Sequence, residues 1–406
     1  MATYKEQNKL NVPHLRFPEF HGEWDKCKVS DLLDFYSTNS LSWEQLEYGT
    51  DNMLNLHYGL IHVGLPTMVD LSKDILPAIK KENEPKNFEL CKEGDIAFAD
   101  ASEDTNEVAK AIEFYTLEDK AVVCGLHTIH GRDKSNKTVV GYKGYAFSST
   151  AFHHQIRRIA QGTKIYSISA KNFAECYIGI PSKGEQTKIA KLLRLIDERI
   201  ATQSKLIEKL ESLIKGIVDS TILRKEKNAI IGDVCSISEQ IRAEANIDDI
   251  ITVRLHGNGV CKSSAENLQL GATQYYRRRA GQLIYGKQNF HNGAIGIVPI
   301  SLDNGITSKD IPSFDIDEMK CNSVYLLAQL QSPQYYKPAE ALTTGTGSKR
   351  LKEETFLKMP IVLPNKREQD NIAVLIHRAS MNLDHAKRLL ELLSIQKQFL
   401  LRQMFI

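Results

Sequence analysis

The sequence lacks any long hydrophobic run. No apolar stretch in its 406 residues approaches the roughly 20 residues that a helix needs to cross a bilayer. The first ten residues, MATYKEQNKL, are too polar for a signal peptide. We therefore expect a cytoplasmic protein with no membrane partner.

Cysteine is scarce and unpaired. The seven cysteines are an odd number, scattered, with no CxxC pair, which predicts a reducing compartment and argues against a disulfide framework or a zinc knuckle. One spacing, Cys124, His127 and His130, is compatible with metal ligation, but the sequence offers no evident fourth ligand. Buried or turn residues explain these side chains better, and we expect neither a metal nor a cofactor in this chain.

Signatures of catalysis are also missing. There is no G-x-x-x-x-G-K-[ST] loop for ATP and no glycine-rich loop for S-adenosylmethionine. Residues 332–335 (SPQY) lack the second proline of the amino-methyltransferase motif. A weak echo of a nuclease acid cluster, common by chance on surfaces, is formed by Asp315, Asp317, Glu318 and Lys320. We predict no active site.

Excess charge of either sign is absent too. The chain has 52 basic and 50 acidic residues, for a net charge of +2. A nucleic-acid partner would therefore require positive charge concentrated locally on one surface.

What the sequence does contain is a duplicated phrase. Residues 180–190 (IPSKGEQTKIA) return 183 positions later as residues 363–373 (LPNKREQDNIA). Each copy follows a short strand-like run, stops it with a proline, and then presents the spacing of a helix capping box. The predicted cap and glutamate are Ser182 with Glu185, and Asn365 with Glu368. These glutamates start helices, and we assign them no catalytic role.

Each copy opens a long heptad pattern, typical of a coiled coil. At about 1.5 Å per residue, 35 to 40 helical residues span on the order of 55 Å. Gln203 and Lys397 interrupt the apolar seam. We predict that the two helices pack on each other, although pairing with other chains stays open. The predicted interface residues are Ile189, Leu193, Ile196, Ile200, Ile207, Leu210, Ile214, Ile217, Ile372, Ile376, Leu383, Leu390, Leu393 and Leu400.

The rest of the chain forms two segments rich in short β-type runs. The predicted class is α+β: two mixed α/β, β-rich domains linked by two long helices in an antiparallel coiled coil, as a pseudo-twofold internal repeat. The predicted boundaries are 1–181 for the first domain, 182–224 for the central helix, 225–364 for the second domain and 365–406 for the C-terminal helix.

This arrangement resembles the specificity (S) subunit of type I restriction–modification systems. The resemblance rests on VPHLRFPEF (residues 12–20) followed by Gly22, Glu23 and Trp24, and on the paired Pro-x-x-x-Glu-Gln-x-x-Ile helix openings. It rests also on two Gly-Thr loops, Gly162-Thr163 and Gly345-Thr346, that lead to Phe173 and Phe356.

The resemblance implies a subunit without chemistry of its own. Each of its two target-recognition domains reads one half of a split, asymmetric site in double-stranded DNA through the major groove. The helices set the half-site spacing and dock two methyltransferase (M) subunits, which the restriction (R) motor–nuclease subunits join. Adenine-N6 methyl transfer, ATP-dependent cleavage, S-adenosylmethionine, ATP and Mg²⁺ belong to those partners.

Three basic stretches free of acidic residues are the candidate DNA contacts, because Arg, Lys, Gln and Asn grip phosphates or reach base edges. On a strand, successive side chains alternate, so only some of them should face the duplex. The candidates are His153, His154, Arg157, Arg158 and Lys164; Tyr275, Tyr276, Arg277, Arg278, Arg279, Lys287, Gln288, Asn289 and His291, in a stretch that begins at Gly271; and Lys349 and Arg350.

Two alternative functions remain open besides that of a subunit that recognises DNA for partner enzymes. One is a self-contained DNA methyltransferase or nuclease, suggested by residues 332–335. The other is a coiled-coil scaffold without a DNA role. The sequence does not reveal which bases are read.

Overall fold

The computed structural model describes residues 11–50, 52–263, 273–345 and 348–406. Gly271, Thr346 and the polar first ten residues lie outside this description. The chain divides into two compact units, the first made of the residues up to 203 with 389–406, and the second of residues 204–388. Each long helix contributes to both units.

A five-stranded sheet dominates the first unit, in the order β2-β11-β7-β9-β5. Its strands pair antiparallel except for β5 with β9. Its strands are β2 (Leu33–Tyr36), β5 (Met68–Asp70), β7 (Ile96–Ala99), β9 (Ala111–Thr116) and β11 (Thr128–Asp133), with β1 (Asp25–Lys28) and the helix α1 (Val29–Leu32) preceding them.

A second sheet of the first unit has the order β10-β4-β6-β3, and two strand pairs, β1-β13 and β12-β8, complete its β-structure. These strands are β3 (Leu46–Glu47), β4 (Leu54–Leu56), β6 (Ala78–Ile79), β8 (Ala101–Ser102), β10 (Val122–Cys124), β12 (Tyr166–Ser167) and β13 (Tyr177–Ile180). The helices are α2 (Tyr58–His62), α3 (Lys143–Phe147), α4 (Thr150–Ile159) and α5 (Ala170–Ala174).

Aromatic side chains fill the main core of this unit. Phe98, Phe147, Phe152 and Phe173 are almost fully buried and contact one another, mostly edge to face. Each such ring buries on the order of 150–250 Å², so this cluster fixes α3, α4 and α5 against the sheet.

The second unit repeats the mixture of sheet and short helices with different strand orders. Its sheets are β15-β23-β20-β21, β16-β19-β22, β17-β18 and β14-β24. The strands are β14 (Ala229–Ile230), β15 (Cys235–Ile237), β16 (Arg242–Ala243), β17 (Ile251–Val253), β18 (Val260–Lys262), β19 (Tyr275–Arg278), β20 (Leu283–Tyr285), β21 (Ile295–Ile297), β22 (Gly305–Ser308), β23 (Ser313–Ile316) and β24 (Pro360–Ile361). The helices are α7 (Ser323–Leu330), α8 (Pro333–Tyr336) and α9 (Glu353–Leu357).

The two long helices are α6 (Lys183–Val218), which ends in a π-helical turn at Asp219–Leu223, and α10 (Lys366–Gln403). They run antiparallel in each unit. In the second unit Glu211 pairs with Lys387, and further along Lys225 pairs with Glu368, so the numbering rises on one helix as it falls on the other. In the first unit Asp197 pairs with Lys397.

Burial along these helices follows the heptad pattern. Ile189, Leu193 and Ile196 share one hydrophobic cluster with Leu400. In the second unit, Ile372 and Ile376 pack in a cluster with the end of α6. Leu393 is buried, and the remaining predicted positions are half-buried, namely Ile200, Ile207, Leu210, Ile214, Ile217, Leu383 and Leu390. Membership of all fourteen residues in one continuous seam stays a prediction.

The capping boxes form only in part. The Glu185 backbone N–H donates to the Ser182 hydroxyl, and the Glu368 N–H to the Asn365 side chain. The glutamate side chains do not complete the box. Glu185 instead accepts two 2.7 Å hydrogen bonds from Arg16, and Glu368 pairs with Lys225. Each glutamate thus ties a helix start to another segment of its own unit.

Loop geometry is duplicated as well. Gly162 and Gly345, separated by 183 positions, have φ of +139° and +129°, a region open mainly to glycine. Tyr142 donates to the Gly179 carbonyl and Tyr325 to the Val362 carbonyl, again at the same offset.

The α+β prediction with two long helices is confirmed, whereas the four segment boundaries stay predictions. In the described part of the chain, every helix is too short or too polar to cross a bilayer.

Candidate nucleic-acid interface

The arginines in and directly after strand β19 do not all point to the same side, because side chains alternate along a strand. Arg277 and the following Arg279 are exposed, whereas Arg278 is fully buried. Successive side chains on a strand point to opposite faces, so Arg277 is offered to a partner while Arg278 enters the domain. The prediction that only some of these arginines face outward therefore agrees with the strand geometry.

Arg278 is a structural residue, which corrects its proposed DNA contact. Its guanidinium donates to the Thr307 hydroxyl at 2.7 Å, the Ser313 hydroxyl at 2.9 Å and the Ile311 carbonyl at 2.9 Å. Burial lowers its pKa to about 10, and no carboxylate among the described residues pairs with it to offset that effect. The buried guanidinium thus links β19 to the residues around β22 and β23.

The two tyrosines of β19 are also corrected to buried roles. Tyr275 packs with Ile250 and Ile306 in a small hydrophobic cluster. Tyr276 is only 9% exposed, and its hydroxyl donates to Gln274. Neither ring is available to a duplex in this structure.

Acidic residues from other segments pair with several of the basic residues that the sequence predicts as DNA contacts. Lys287 pairs with Glu353 at 2.7 Å, and Arg350 pairs with Asp310 at 3.2 Å. Lys349 lies 3.9 Å from Glu340. The basic stretches contain no acid in sequence, but the fold supplies one to each of these cations. This compensation weakens the case for all three as phosphate contacts.

Gln288 and Asn289 follow β20 and are exposed, so their amide groups are available to base edges or phosphates. His291 is half-buried, and within the described ranges its enclosed Nδ1 has no hydrogen-bond partner. This geometry makes His291 a weaker candidate than its two neighbours.

Arg277 and Arg279 differ in their surroundings. In the described part of the chain, neither guanidinium takes part in a salt bridge. Arg279 borders a groove of about 360 Å³ that also contains Asp315 and Glu318. Because these carboxylates reduce the local positive field, Arg277 is the stronger phosphate candidate of the two.

In the first unit, α4 presents a basic face. His154, Arg157 and Arg158 are exposed, and Arg157 donates to Asn106 at 3.1 Å. Lys164, in the loop after α4, is also exposed. His153 is the exception, because burial and the nearby Arg157 charge lower its pKa, so it adds no positive charge near neutral pH.

The methyltransferase-like phrase has a structural explanation. Pro333 occupies the first turn of α8, where a missing N–H costs nothing. The buried Tyr335 hydroxyl donates to the Pro360 carbonyl. These contacts account for residues 332–335 without chemistry.

One buried cluster was missed by sequence reasoning. Cys91 lies beside Cys124 and His130, but it is 33 residues from Cys124 in the chain. No short spacing signals this arrangement, because it depends on how the strands pair.

Part of the chain matches a known protein family. Residues 86–212 match the family described as "Type I restriction modification DNA specificity domain". This segment is thus similar to that family of specificity domains, which confirms the resemblance drawn from the sequence.

Two solved structures show the same fold over nearly the whole chain. The S subunit of the type I restriction–modification system from M. genitalium is 14% identical, with a TM-score of 0.62, covering 97% of this chain and 99% of that one. A chain from a study of complex assembly and conformational transition of the type I system is 12% identical, with a TM-score of 0.51, covering 93% and 96%. No curated protein matches the sequence.

Proposed function

We propose that this chain is the DNA sequence-specificity subunit of a type I restriction–modification complex. Each mixed α/β domain reads one half of a bipartite, asymmetric site in the major groove. The antiparallel helices α6 and α10 fix the distance between the half-sites. The observation that carries the proposal is the family match over residues 86–212.

The duplicated geometry supports two reading domains. Helix starts, glycine loops and tyrosine anchors recur at an offset of 183, whereas the sheets between them differ in strand order. A repeated frame with different reading surfaces suits two unlike half-sites.

The proposed DNA contacts are the predicted polar residues that the fold leaves exposed and outside any salt bridge in the described part of the chain. Arg277, Arg279, Gln288 and Asn289 serve the second domain, and α4 with Lys164 serves the first. Arginine and lysine would supply phosphate contacts, and the amides would read base edges. DNA would thus meet a small set of side chains on each domain.

The long helices are the proposed docking sites for two M subunits, which R subunits then join. On α10, Leu392, Ile395 and Phe399 are 62%, 54% and 49% exposed. An apolar stripe of this kind on an otherwise amphipathic helix fits a partner helix or domain.

Specificity subunits of this family are recognition proteins, and the catalytic activities reside in partner subunits. S-adenosylmethionine, ATP and Mg²⁺ would be bound by the M and R subunits. The proposal places the complex in the cytoplasm, where DNA and reduced cysteines coexist.

Coexpression with the M subunits, followed by methylome sequencing, tests the proposal. We expect methylation at one bipartite motif. Replacing residues 225–362 with the corresponding segment of a related S subunit should change one half of the motif and keep the other half.

Two results would overturn the proposal. An unchanged motif after the swap would favour a scaffold without a DNA role. Methyl transfer by the purified chain, without M subunits, would favour a self-contained enzyme.

A further inference from the structure

Two thiols and an imidazole meet in the interior of the first unit. Cys91 Sγ and Cys124 Sγ are 3.6 Å apart, and a ring nitrogen of His130 lies within 4.8 Å of both sulfurs. All three side chains are buried, with His130 at 0% exposure. They come from three segments: the chain before β7, the end of β10, and β11.

The two nitrogens of His130 have different environments. Nε2 lies 2.8 Å from the Asp95 carboxylate, whereas Nδ1 is buried and has no hydrogen-bond partner among the residues that the structure describes. Burying a polar atom without a partner is costly. A metal-binding histidine commonly has this arrangement, in which one nitrogen is held by a carboxylate and the other is left for the ion.

Asp95 is itself firmly held. Arg132 donates to its two oxygens at 2.8 Å and 2.7 Å, and reaches Glu89 at 2.6 Å. The Asp95 charge is therefore compensated by Arg132, and the carboxylate is fixed in position to orient the imidazole.

We propose that Cys91, Cys124 and His130 bind a divalent thiolate-seeking metal ion, Zn²⁺ being the natural occupant. Two thiolates and one neutral imidazole balance a 2+ ion, so the buried centre is neutral. Sulfur and imidazole donors are the set that Zn²⁺ prefers. The three residues leave one position of the tetrahedron for a solvent ligand.

The spacing of the two sulfurs is already close to that of a zinc site, whereas the imidazole, within 4.8 Å of both sulfurs, would have room to move closer to the ion. With Zn–S bonds of about 2.3 Å, tetrahedral geometry places two sulfurs about 3.8 Å apart, compared with 3.6 Å in the structure. Disulfide formation would instead require the sulfurs to approach to about 2.05 Å. The ion would join the segment before β7 to β10 and β11, and stabilise the first unit.

Metal analysis of the purified full chain tests the site. Protein produced with Zn²⁺ should contain about one ion per chain. Refolding with Co²⁺ should produce the visible absorption of a tetrahedral site and a thiolate-to-cobalt charge-transfer band. Both signals should be lost in Cys91→Ser and Cys124→Ser, and both should persist in Cys176→Ser, a buried cysteine outside the cluster.

Chelation provides a readout that does not depend on the variants folding well. A strong chelator should lower the thermal midpoint of the wild-type chain and of Cys176→Ser, because bound metal stabilises the folded state. Wild-type protein that takes up neither Zn²⁺ nor Co²⁺ stoichiometrically would overturn the site and leave a hydrogen-bonded thiol pair. Equal metal content in wild type and both cluster variants would also overturn it. Neither result bears on DNA recognition.

Discussion

Gln186 and Gln369 make the same three hydrogen bonds at positions 183 residues apart. Gln186 Oε1 accepts from the Val139 N–H at 2.9 Å, and its Nε2 donates to the Lys137 and Pro181 carbonyls at 3.1 and 2.9 Å. Gln369 Oε1 accepts from the Asn322 N–H at 2.9 Å, and its Nε2 donates to the Lys320 and Pro364 carbonyls at 3.1 and 2.8 Å. Each partner lies 183 positions after its counterpart. The glutamine of the duplicated phrase therefore fastens each long helix to its own domain.

Removing either amide should destabilise the protein. Both glutamines are fully buried, so Gln186→Ala or Gln369→Ala strands backbone groups that water cannot reach. We expect a loss of about 2–3 kcal/mol for either variant, measured by urea denaturation. Gln398→Ala, at an exposed position of α10, is the control and should change stability by less than about 0.5 kcal/mol. Equal effects at all three positions would remove the proposed role of the amide.

Sequence patterns were most informative where the physics is local. The 183-residue repeat, the proline stops and the heptad rhythm located both long helices, since capping and periodicity depend on residues a few positions apart. The same patterns did not reveal that Glu185 would bind Arg16, because that pairing joins segments 169 positions apart.

Candidate DNA contacts were less predictable for the same reason. The absence of acids around Lys287 and Arg350 in sequence suggested an uncompensated field, but Glu353 and Asp310 reach them in the fold. The alternation of side chains on a strand predicted that some arginines would point inward. Only the register of β19 in its sheet shows that Arg278 is the buried one.

Arg277 should contribute to DNA affinity without supporting the fold. Its side chain is exposed on β19, so Arg277→Ala should leave the thermal midpoint unchanged. If it contacts a phosphate, the variant should weaken binding of the assembled complex and reduce the salt-dependence slope by about 1. The measurement is DNA binding across a salt series. An unchanged slope would exclude a phosphate contact at this position.

Arg278 should show the reverse behaviour. Arg278→Ala leaves a cavity and removes three hydrogen bonds, from the guanidinium to the Thr307 hydroxyl, the Ser313 hydroxyl and the Ile311 carbonyl. The Ile311 carbonyl still accepts from the Thr307 hydroxyl, so the Ser313 hydroxyl loses most. We expect a loss of about 2–4 kcal/mol in the free energy of unfolding, measured by denaturation. A stable variant with selectively weakened DNA binding would contradict the structural role.

Asp133 should make stability fall at acidic pH. Burial alone would raise its pKa, but hydrogen bonds from the Thr138 hydroxyl and N–H and from the Ser135 N–H outweigh burial and lower the pKa. A carboxylate with a depressed folded-state pKa stabilises the fold above its unfolded pKa of about 4. That contribution disappears as the pH falls through the lower, folded-state value.

Comparing the unfolding free energy of wild type and Asp133→Asn between pH 7 and pH 3 checks this expectation. The variant should be less stable at pH 7, and the difference should shrink as the medium becomes acidic. Asp119→Asn, in an exposed turn, serves as the control. A difference between wild type and Asp133→Asn that is constant over the whole range would show that the charge of Asp133 is not involved.

Lys397, which interrupts the heptad pattern, is expected to contribute to stability mainly through its pairing with Asp197. Lys397 lies 2.6 Å from Asp197, which also accepts a 2.9 Å hydrogen bond from the Tyr145 hydroxyl. The two charged side chains are only 22% and 17% exposed. Lys397→Leu alone leaves a mostly enclosed carboxylate and should cost about 1–2 kcal/mol, whereas Asp197→Leu with Lys397→Leu should recover much of that loss.

A double-mutant cycle on unfolding free energies measures this coupling, and the chain provides a matched comparison. Glu211 and Lys387 also pair between α6 and α10, at 2.8 Å, but both are about half exposed. Solvent screening should hold their coupling below about 1 kcal/mol. Partial burial weakens that screening for Asp197 and Lys397, so their coupling energy should be the larger of the two. If the cycles give equal energies, then burial is not what strengthens the Asp197–Lys397 pair.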